Sequence, residues 1–360
     1  MPPLEKVRVA GFKSIRDQEV ELRPLNVMIG ANGAGKSNFV GIFRLLREII
    51  KNNLQLYVAR SGGADRLLHF GRKATDAIEL QFEFEPNLYR CRLEPTASGS
   101  LIFADETVFF HDKAHYENPY EQLLGRGHVE TLLRSPSSRI ATYVLASIES
   151  WWVYHFHDTS ENAKVKQAGD VDDNRRLRPD AGNLAALLYL LRDTSPATYR
   201  DIVETVRLAA PFFDDFDLAP DRRNPRTIKL EWKERGSDAY FDASSLSDGT
   251  LRFISLATLL LQPQPPATIL LDEPELGLHP YAITLLADLL RSAAERTQLI
   301  VSTQSVTLVN QLAPEDVIVV DREAGASVFR RLNEADVASW LDDYALGDLW
   351  EKNVIGGRPG

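Results

Sequence analysis

The sequence predicts an α/β fold in two lobes with a mainly helical insert, and three observations carry that prediction. An apolar stretch, PLNVMIG, runs straight into the glycine-rich GANGAGKS and then into KSNFVGIFRLLREIIKN, which reads as strand, loop and helix. AIELQFEFE alternates strictly, so Ile78, Leu80, Phe82 and Phe84 share one face of a strand. From Asp238 onward strand, helix and strand alternate again, as expected of parallel strands covered by helices.

In chain order, KVRVAGFKSIRDQEVEL gives two short strands joined around Arg16 and Asp17, and PLNVMIG a third that is apolar enough to be buried. The helix that begins at Lys36 places Phe39, Phe43, Leu46 and Ile50 on one side, and Asn52 with Asn53 can end it. LYRCRLEP and SLIFADETVFF continue as antiparallel strands and complete a first lobe over residues 1–110. Residues 111–235 form the insert, with GNLAALLYLLRD and ATYRDIVETVRLAAPFF as its clearest helices. No apolar heptad persists there, so no long coiled-coil arm is expected. ENAKVKQAGDVDDNRRLRPDAGN is polar and broken by Gly and Pro, the composition of a mobile surface loop. The second lobe spans 236–335 and a tail 336–360, where Trp340, Leu341, Tyr344, Leu346, Leu349 and Trp350 are expected to dock on the body of the protein.

Lys plus Arg total 41 against 51 Asp plus Glu, a net charge of -10, so any contact with DNA has to come from local basic spots. Arg175, Arg176 and Arg178 form one such spot, and Arg222, Arg223 and Arg226 another. A single cysteine, Cys91, excludes an intramolecular disulfide and a cysteine-based metal cluster. MPPLEKVRVAGFKSIRD lacks the apolar core of a signal peptide, and the run Phe253 to Leu261 is too short to cross a bilayer. A cytoplasmic protein with no membrane partner is expected.

The chemistry concentrates in GANGAGKSN: Gly30, Ala31, Asn32, Gly33, Ala34, Gly35, Lys36, Ser37 and Asn38. Its glycines allow successive backbone N–H groups to face phosphate oxygens, with the positive end of the following helix behind them. Lys36 then supplies a point charge to the β and γ phosphates, and the Ser37 hydroxyl a ligand to Mg²⁺. Such a loop needs a carboxylate to help hold the metal and a group to orient water. ATILLDEPE provides both, with Asp272 at the end of a buried strand and Glu273 beside it. SLSDGTLRF places Ser247 as a helix cap and Gly249 for close approach, a second phosphate-binding end that a twofold-related copy could use.

GANGAGKS, LSDGT, ILLDEPELGLHP and VSTQS, in that order, resemble an ABC-type AAA-family ATPase of the RecF, SMC and OLD class. The resemblance covers most of the chain outside the insert and implies an ABC-ATPase head, a P-loop NTPase with a mixed sheet. It makes Gly30 to Ser37 the Walker A loop, Leu246 to Thr250 the signature, Asp272 and Glu273 the Walker B pair, and Gly277 to His279 the D-loop. It also implies ATP with Mg²⁺ and a homodimer that sandwiches ATP. Lys13 and Ser14 of FKS are expected near the nucleotide, and His157 with Asp158 are candidates for the Q-loop. Where many members carry a histidine after the next strand, this chain has Gln304, which donates a hydrogen bond but carries no charge, so slow hydrolysis is expected.

The leading functional expectation is an ATPase that dimerises on ATP and regulates a DNA-related process, genome maintenance or anti-phage defence. No nuclease constellation is recognised in the chain, so a separate effector such as a TOPRIM-like nuclease is expected. A nucleotide-gated scaffold with little turnover is the alternative. A transporter motor is disfavoured by the FKS hairpin, the SDGT form of the signature and the insert.

Overall fold

The computed structural model describes residues 2–135 and 138–357 and divides into two compact units. The first holds residues 1–153, 266–270 and 313–360, and the second 154–265 and 271–312.

The first unit opens with β1 (Lys6–Phe12) and β2 (Ile15–Glu21), then β3 (Leu25–Ile29), α1 (Lys36–Ile50) and α2 (Leu54–Arg60). β4 (Ile78–Phe84), β5 (Asn87–Pro95), β6 (Leu101–Phe110) and β7 (Tyr120–Gly125) follow, then α3 (Arg139–Glu149) and β8 (Trp151–Tyr154). Six strands pair antiparallel in the order β2, β1, β4, β5, β6, β7. The alternation in β4 comes out as read, with Ile78, Leu80, Phe82 and Phe84 all fully buried. The hairpin turn differs from expectation. It lies at Lys13 and Ser14, while Arg16 and Asp17 are already within β2. Lys13 takes a left-handed φ of 48°, which closes the turn earlier than the charged pair suggested.

Helix α1 keeps Phe39, Phe43, Leu46 and Ile50 buried, and it ends before Asn52, whose φ is 58°. Its aromatic face meets the sheet. Phe43 lies 5.8 Å from Phe82 and 6.3 Å from Trp151, and Trp151 packs edge-on against Phe84 at 5.3 Å. These contacts fix the direction in which the N-terminus of α1 points.

The second unit carries β9 (Gly169–Asp170), α4 (Leu184–Thr194), α5 (Pro196–Ala209), β10 (Phe213–Phe216), β11 (Thr227–Ile228), β12 (Glu231–Glu234) and β13 (Tyr240–Asp242). It continues through α6 (Asp248–Leu261), β14 (Thr268–Asp272), α7 (Pro280–Ala294), β15 (Gln298–Ser302) and α8 (Val306–Val309). The chain crosses from the first unit to the second within β14, at 270 and 271. The polar stretch read as a mobile loop is tied at several points. Asn183 donates to the carbonyls of Asp173 and Arg176, each at 2.8 Å, and β9 pairs with β11.

Back in the first unit, β16 (Val317–Glu323) pairs parallel with β3 and antiparallel with β17 (Ala326–Arg331), so the sheet is mixed. The tail forms α9 (Glu334–Leu341) and α10 (Leu346–Glu351). Leu346, Leu349 and Trp350 are buried, whereas Trp340 and Leu341 stay exposed, so only part of the aromatic tail docks. No helix is long and apolar enough to cross a membrane among the described residues.

Glu106 on β6 is fully buried and receives hydrogen bonds from Tyr89 Oη at 2.8 Å, the backbone N–H of Leu132 at 2.8 Å, His128 Nε2 at 3.0 Å, and the Thr131 hydroxyl. Replacing it with Leu leaves all four donors without an acceptor. Glu106→Leu is expected to lower unfolding free energy by about 3 kcal/mol or more in urea titrations, and a loss under about 1 kcal/mol would contradict this account.

Candidate functional site

In the first unit the GANGAGKSN loop leaves buried β3 and enters α1. Gly35 sits at the N-cap with φ 125°, and a Cβ there would stand 2.0 Å from Ser327 Oγ. No side chain fits at this point. Gly30 and Gly33 also have positive φ, while Asn32 and Ser37 are exposed and Ala31 and Asn38 half-buried. Lys36 is buried, its Nζ donating to the carbonyls of Gly30 at 2.5 Å and Ala31 at 3.2 Å.

The β1–β2 turn and the β17 strand hold this loop from outside. Asn38 Nδ2 lies 2.7 Å from Ser14 Oγ, Ser14 Oγ 2.6 Å from Ser327 Oγ, and Ser327 Oγ 2.5 Å from the Ala34 carbonyl. A carbonyl only accepts and a hydroxyl carries one proton, so Ser327 donates to Ala34, Ser14 to Ser327, and Asn38 to Ser14. Arg322 reaches the Gly33 carbonyl at 3.4 Å. Ser14 was expected here from the sequence; Ser327 and Arg322 carried no local signal, because they approach from a hairpin about 290 residues away. Lys13 lies at the same turn. Burial, together with the Arg44 guanidinium, pulls its ammonium below the ordinary lysine range.

In the second unit Asp272 ends β14 and Glu273 follows with a left-handed φ of 47°. That conformation is uncommon for a non-glycine residue and points to a functional constraint. The Glu273 N–H donates to the Ser302 carbonyl at 2.8 Å, and the Ser302 hydroxyl donates to Asp272 Oδ1. Gln304 donates its side-chain amide to Glu273 Oε1, which brings together two residues singled out in the sequence. His157 Nε2 donates to the Asp272 carbonyl at 2.8 Å, whereas Asp158 is exposed and turned to the Ser160 N–H and hydroxyl, which lower its pKa. The strand ends at Tyr154, so His155 and His157 stand on the loop that follows it, their rings 6.1 Å apart. No metal-binding group of three or more His, Cys, Asp or Glu residues occurs among the described residues.

Ser247 caps α6, accepting from the Thr250 N–H at 3.1 Å. At Gly249 the close approach is to the chain itself: a Cβ would stand 2.3 Å from the Gly277 carbonyl. Arg252, one helical step on, donates to the carbonyls of Phe156 at 2.9 Å, His157 at 2.9 Å and Leu276 at 2.6 Å. One side chain thus connects α6, the loop after β8 and the stretch after Glu273. An Arg in an amphipathic helix resembles any solvated charge, so the sequence carries no sign of this role.

Glu275 likewise carries no local signal in the sequence. It is 8% exposed, and its Oε1 accepts the Thr303 hydroxyl at 2.5 Å and the Gln304 N–H at 3.0 Å, which fixes the backbone from which Gln304 reaches Glu273. Its Oε2 has no hydrogen-bond partner among the described residues. Burial raises the carboxyl above the ordinary glutamate range. The folded chain therefore holds this proton more tightly than the unfolded chain. Its contribution to stability is full below the ordinary range and is lost as pH rises through the raised value. Glu275→Gln keeps an acceptor oxygen without the charge, so the stability difference between it and wild type should move in favour of the variant as pH rises. Urea unfolding at a series of pH values reads this, and a gap that does not change with pH would refute it.

Residues 25–310, well over half of the chain, match the family described as "AAA domain, putative AbiEii toxin, Type IV TA system". Structural maintenance of chromosomes protein 3 of Arabidopsis thaliana is 28% identical over 138 residues, a match that spans 37% of this chain and 10% of that protein. Among solved structures, an Smc head bound to the C-terminal winged-helix domain of ScpA has a TM-score of 0.62 at 18% identity, covering 93% of this chain and 99% of that one. An Smc head with an extended coiled coil, bound to the C-terminal domain of ScpA and derived from Pyrococcus furiosus, has a TM-score of 0.56 at 17% identity, covering 95% and 99%. These two likenesses speak for the fold. With a glycine loop caged by Ser14 and Ser327, and a strand-end carboxylate pair met by Gln304, the chain belongs to this AAA-domain family and has the fold of the Smc heads.

Proposed function

We propose that the protein binds and slowly hydrolyses ATP with Mg²⁺, dimerises when ATP is bound, and uses that cycle to regulate a DNA-related process through a separate effector protein. The observation that carries the hydrolytic part is the Gln304 amide on the Glu273 carboxylate, beside Asp272 and held by the strained backbone of residue 273. Glu273 is the group that polarises the attacking water, and Gln304 orients its carboxylate. Lys36 serves the β and γ phosphates, with the N–H groups of residues 30–38 around it. Ser37 and Asp272 are the ligands assigned to Mg²⁺, which when bound would neutralise charge on the phosphate oxygens.

Two observations favour an anion at the loop. The Gly35 cradle has no room for a Cβ, and Lys13 carries a cation depressed by burial and Arg44, with no carboxylate among the causes of its shift. A phosphate would relieve that repulsion. Ser247 and Gly249 are assigned to the γ-phosphate held by the second copy. The effector and the DNA-related role rest on two likenesses: the family's description includes a Type IV toxin–antitoxin system, and an Smc head of similar fold is bound to ScpA. Genome maintenance and anti-phage defence are the readings we favour, in the cytoplasm, with a TOPRIM-like nuclease as the class of effector.

One observation supports a second reading, a nucleotide-gated scaffold with little turnover. Gln304 is neutral and its amide is already engaged by Glu273, so it adds no positive charge as the γ-phosphate leaves.

Light scattering on wild type and Glu273→Gln, with and without Mg·ATP, separates the readings when phosphate release is followed in parallel. Doubling of the mass with ATP, strongest in Glu273→Gln, with phosphate released by wild type alone, is the expected result. Doubling without release supports the scaffold. A monomer under every condition would overturn the dimer proposal, and Lys36→Ala should abolish whatever ATP response wild type shows.

A further inference from the structure

Phe70 is 66% exposed, although it belongs to a segment whose neighbours Leu67, Leu68 and His69 are buried. Its φ is 56°, a left-handed value that a bulky side chain adopts only when its surroundings enforce it. The enforcing contacts are visible. His69 donates its N–H to the Gly11 carbonyl at 3.0 Å and its Nδ1–H to the Lys13 carbonyl at 2.7 Å, while its own carbonyl accepts from Thr75 Oγ1. Leu68 bridges to Phe12, and the Lys13 N–H donates to the Leu67 carbonyl at 2.8 Å. The segment is anchored on both sides of a strained residue, and the result is an aromatic ring held out in water.

The ring stands next to the phosphate loop. From the start of α1 the path runs through Asn38 to Ser14, from Ser14 to its neighbour Lys13, and from the Lys13 carbonyl to His69, whose ring meets Phe70 at 4.5 Å. A second path closes the circle. Arg322 donates to the carbonyls of both Gly33 and Gly325, and a Cβ on Gly325 would touch Phe70 Cζ at 3.0 Å. Two hairpin tips and the 67–71 turn therefore form a rim around the loop, and Phe70 is the large apolar face on that rim.

We propose that Phe70 is the surface on which the purine base of the bound nucleotide stacks, an inference that rests on residues 30–38 holding its phosphates. A base has an apolar face of the size of this ring and gains from stacking whichever purine edge it presents, so ATP and GTP should both use it. The strained φ has a use on this view, because it sets the direction in which the side chain leaves the backbone before the base arrives.

Calorimetric titration of wild type, Phe70→Ala and Phe70→Tyr with Mg·ATP, Mg·GTP and Mg·tripolyphosphate tests this. Phe70→Ala should bind ATP and GTP about 5- to 150-fold more weakly than wild type and tripolyphosphate equally well, with Phe70→Tyr restoring nucleotide affinity. Unchanged ATP affinity in Phe70→Ala overturns the proposal and leaves the phosphate loop reading intact. Loss of tripolyphosphate along with ATP also overturns it, since the residue would then act by shaping the loop. Wild type that binds neither probe overturns the phosphate reading itself, and the base site with it.

Discussion

Three backbone carbonyls from two separate loops converge on one guanidinium, and the second unit's carboxylates are arranged around that point. Arg252 has its donors in a rigid fork, so Phe156, His157 and Leu276 cannot move independently while all three bonds hold. His157 passes the constraint to Asp272 through its ring, and Leu276 lies three residues beyond Glu273. Gly249 then sits against the Gly277 carbonyl at a distance that only a glycine at 249 allows, and a Cβ at 277 would meet Arg252 Nη1 at 2.8 Å. A displacement of α6 along its axis would be felt at all of these residues, because the Arg252 side chain is held by three hydrogen bonds at once and Gly249 lies in van der Waals contact with Gly277.

The first unit solves a different problem. A loop with positive φ at Gly30, Gly33 and Gly35 has little intrinsic preference for one shape. Hydroxyls supply the preference from outside, in a sequence of donors from Asn38 to the Ala34 carbonyl in which every member has one partner on each side. The aromatic packing of α1 against Phe82 and Trp151 holds the other end. Between these two restraints the N-terminus of α1 has a defined direction before any ligand is considered.

Local pattern made much of this legible. The α1 face, the alternation of β4, the Ser247 cap and the strand that ends at Asp272 follow from periodicity and from residue types whose preferences act over a few positions. What escaped depends on partners distant in sequence. Ser327 is an ordinary strand serine until Gly35 is placed beside it, and Glu275 is one more acid in an acidic stretch until Thr303 and Gln304 close over it. The charged pair Arg16 and Asp17 has the composition of a turn, whereas the turn itself is made by a left-handed lysine, Lys13. Asp158 looked equivalent to His157 in the sequence, and a serine two residues on drew it away.

The donor chain from Asn38 to Ala34 has a consequence for how the protein is made. Ser14 and Ser327 are separated by 313 positions, so the last member of the chain is synthesised long after the loop it braces. A nascent polypeptide that has emerged through α1 and the whole second unit still lacks the hydroxyl that receives the Ser14 proton and donates to Ala34. The 30–38 loop can therefore reach its final shape only after residue 327 has been made.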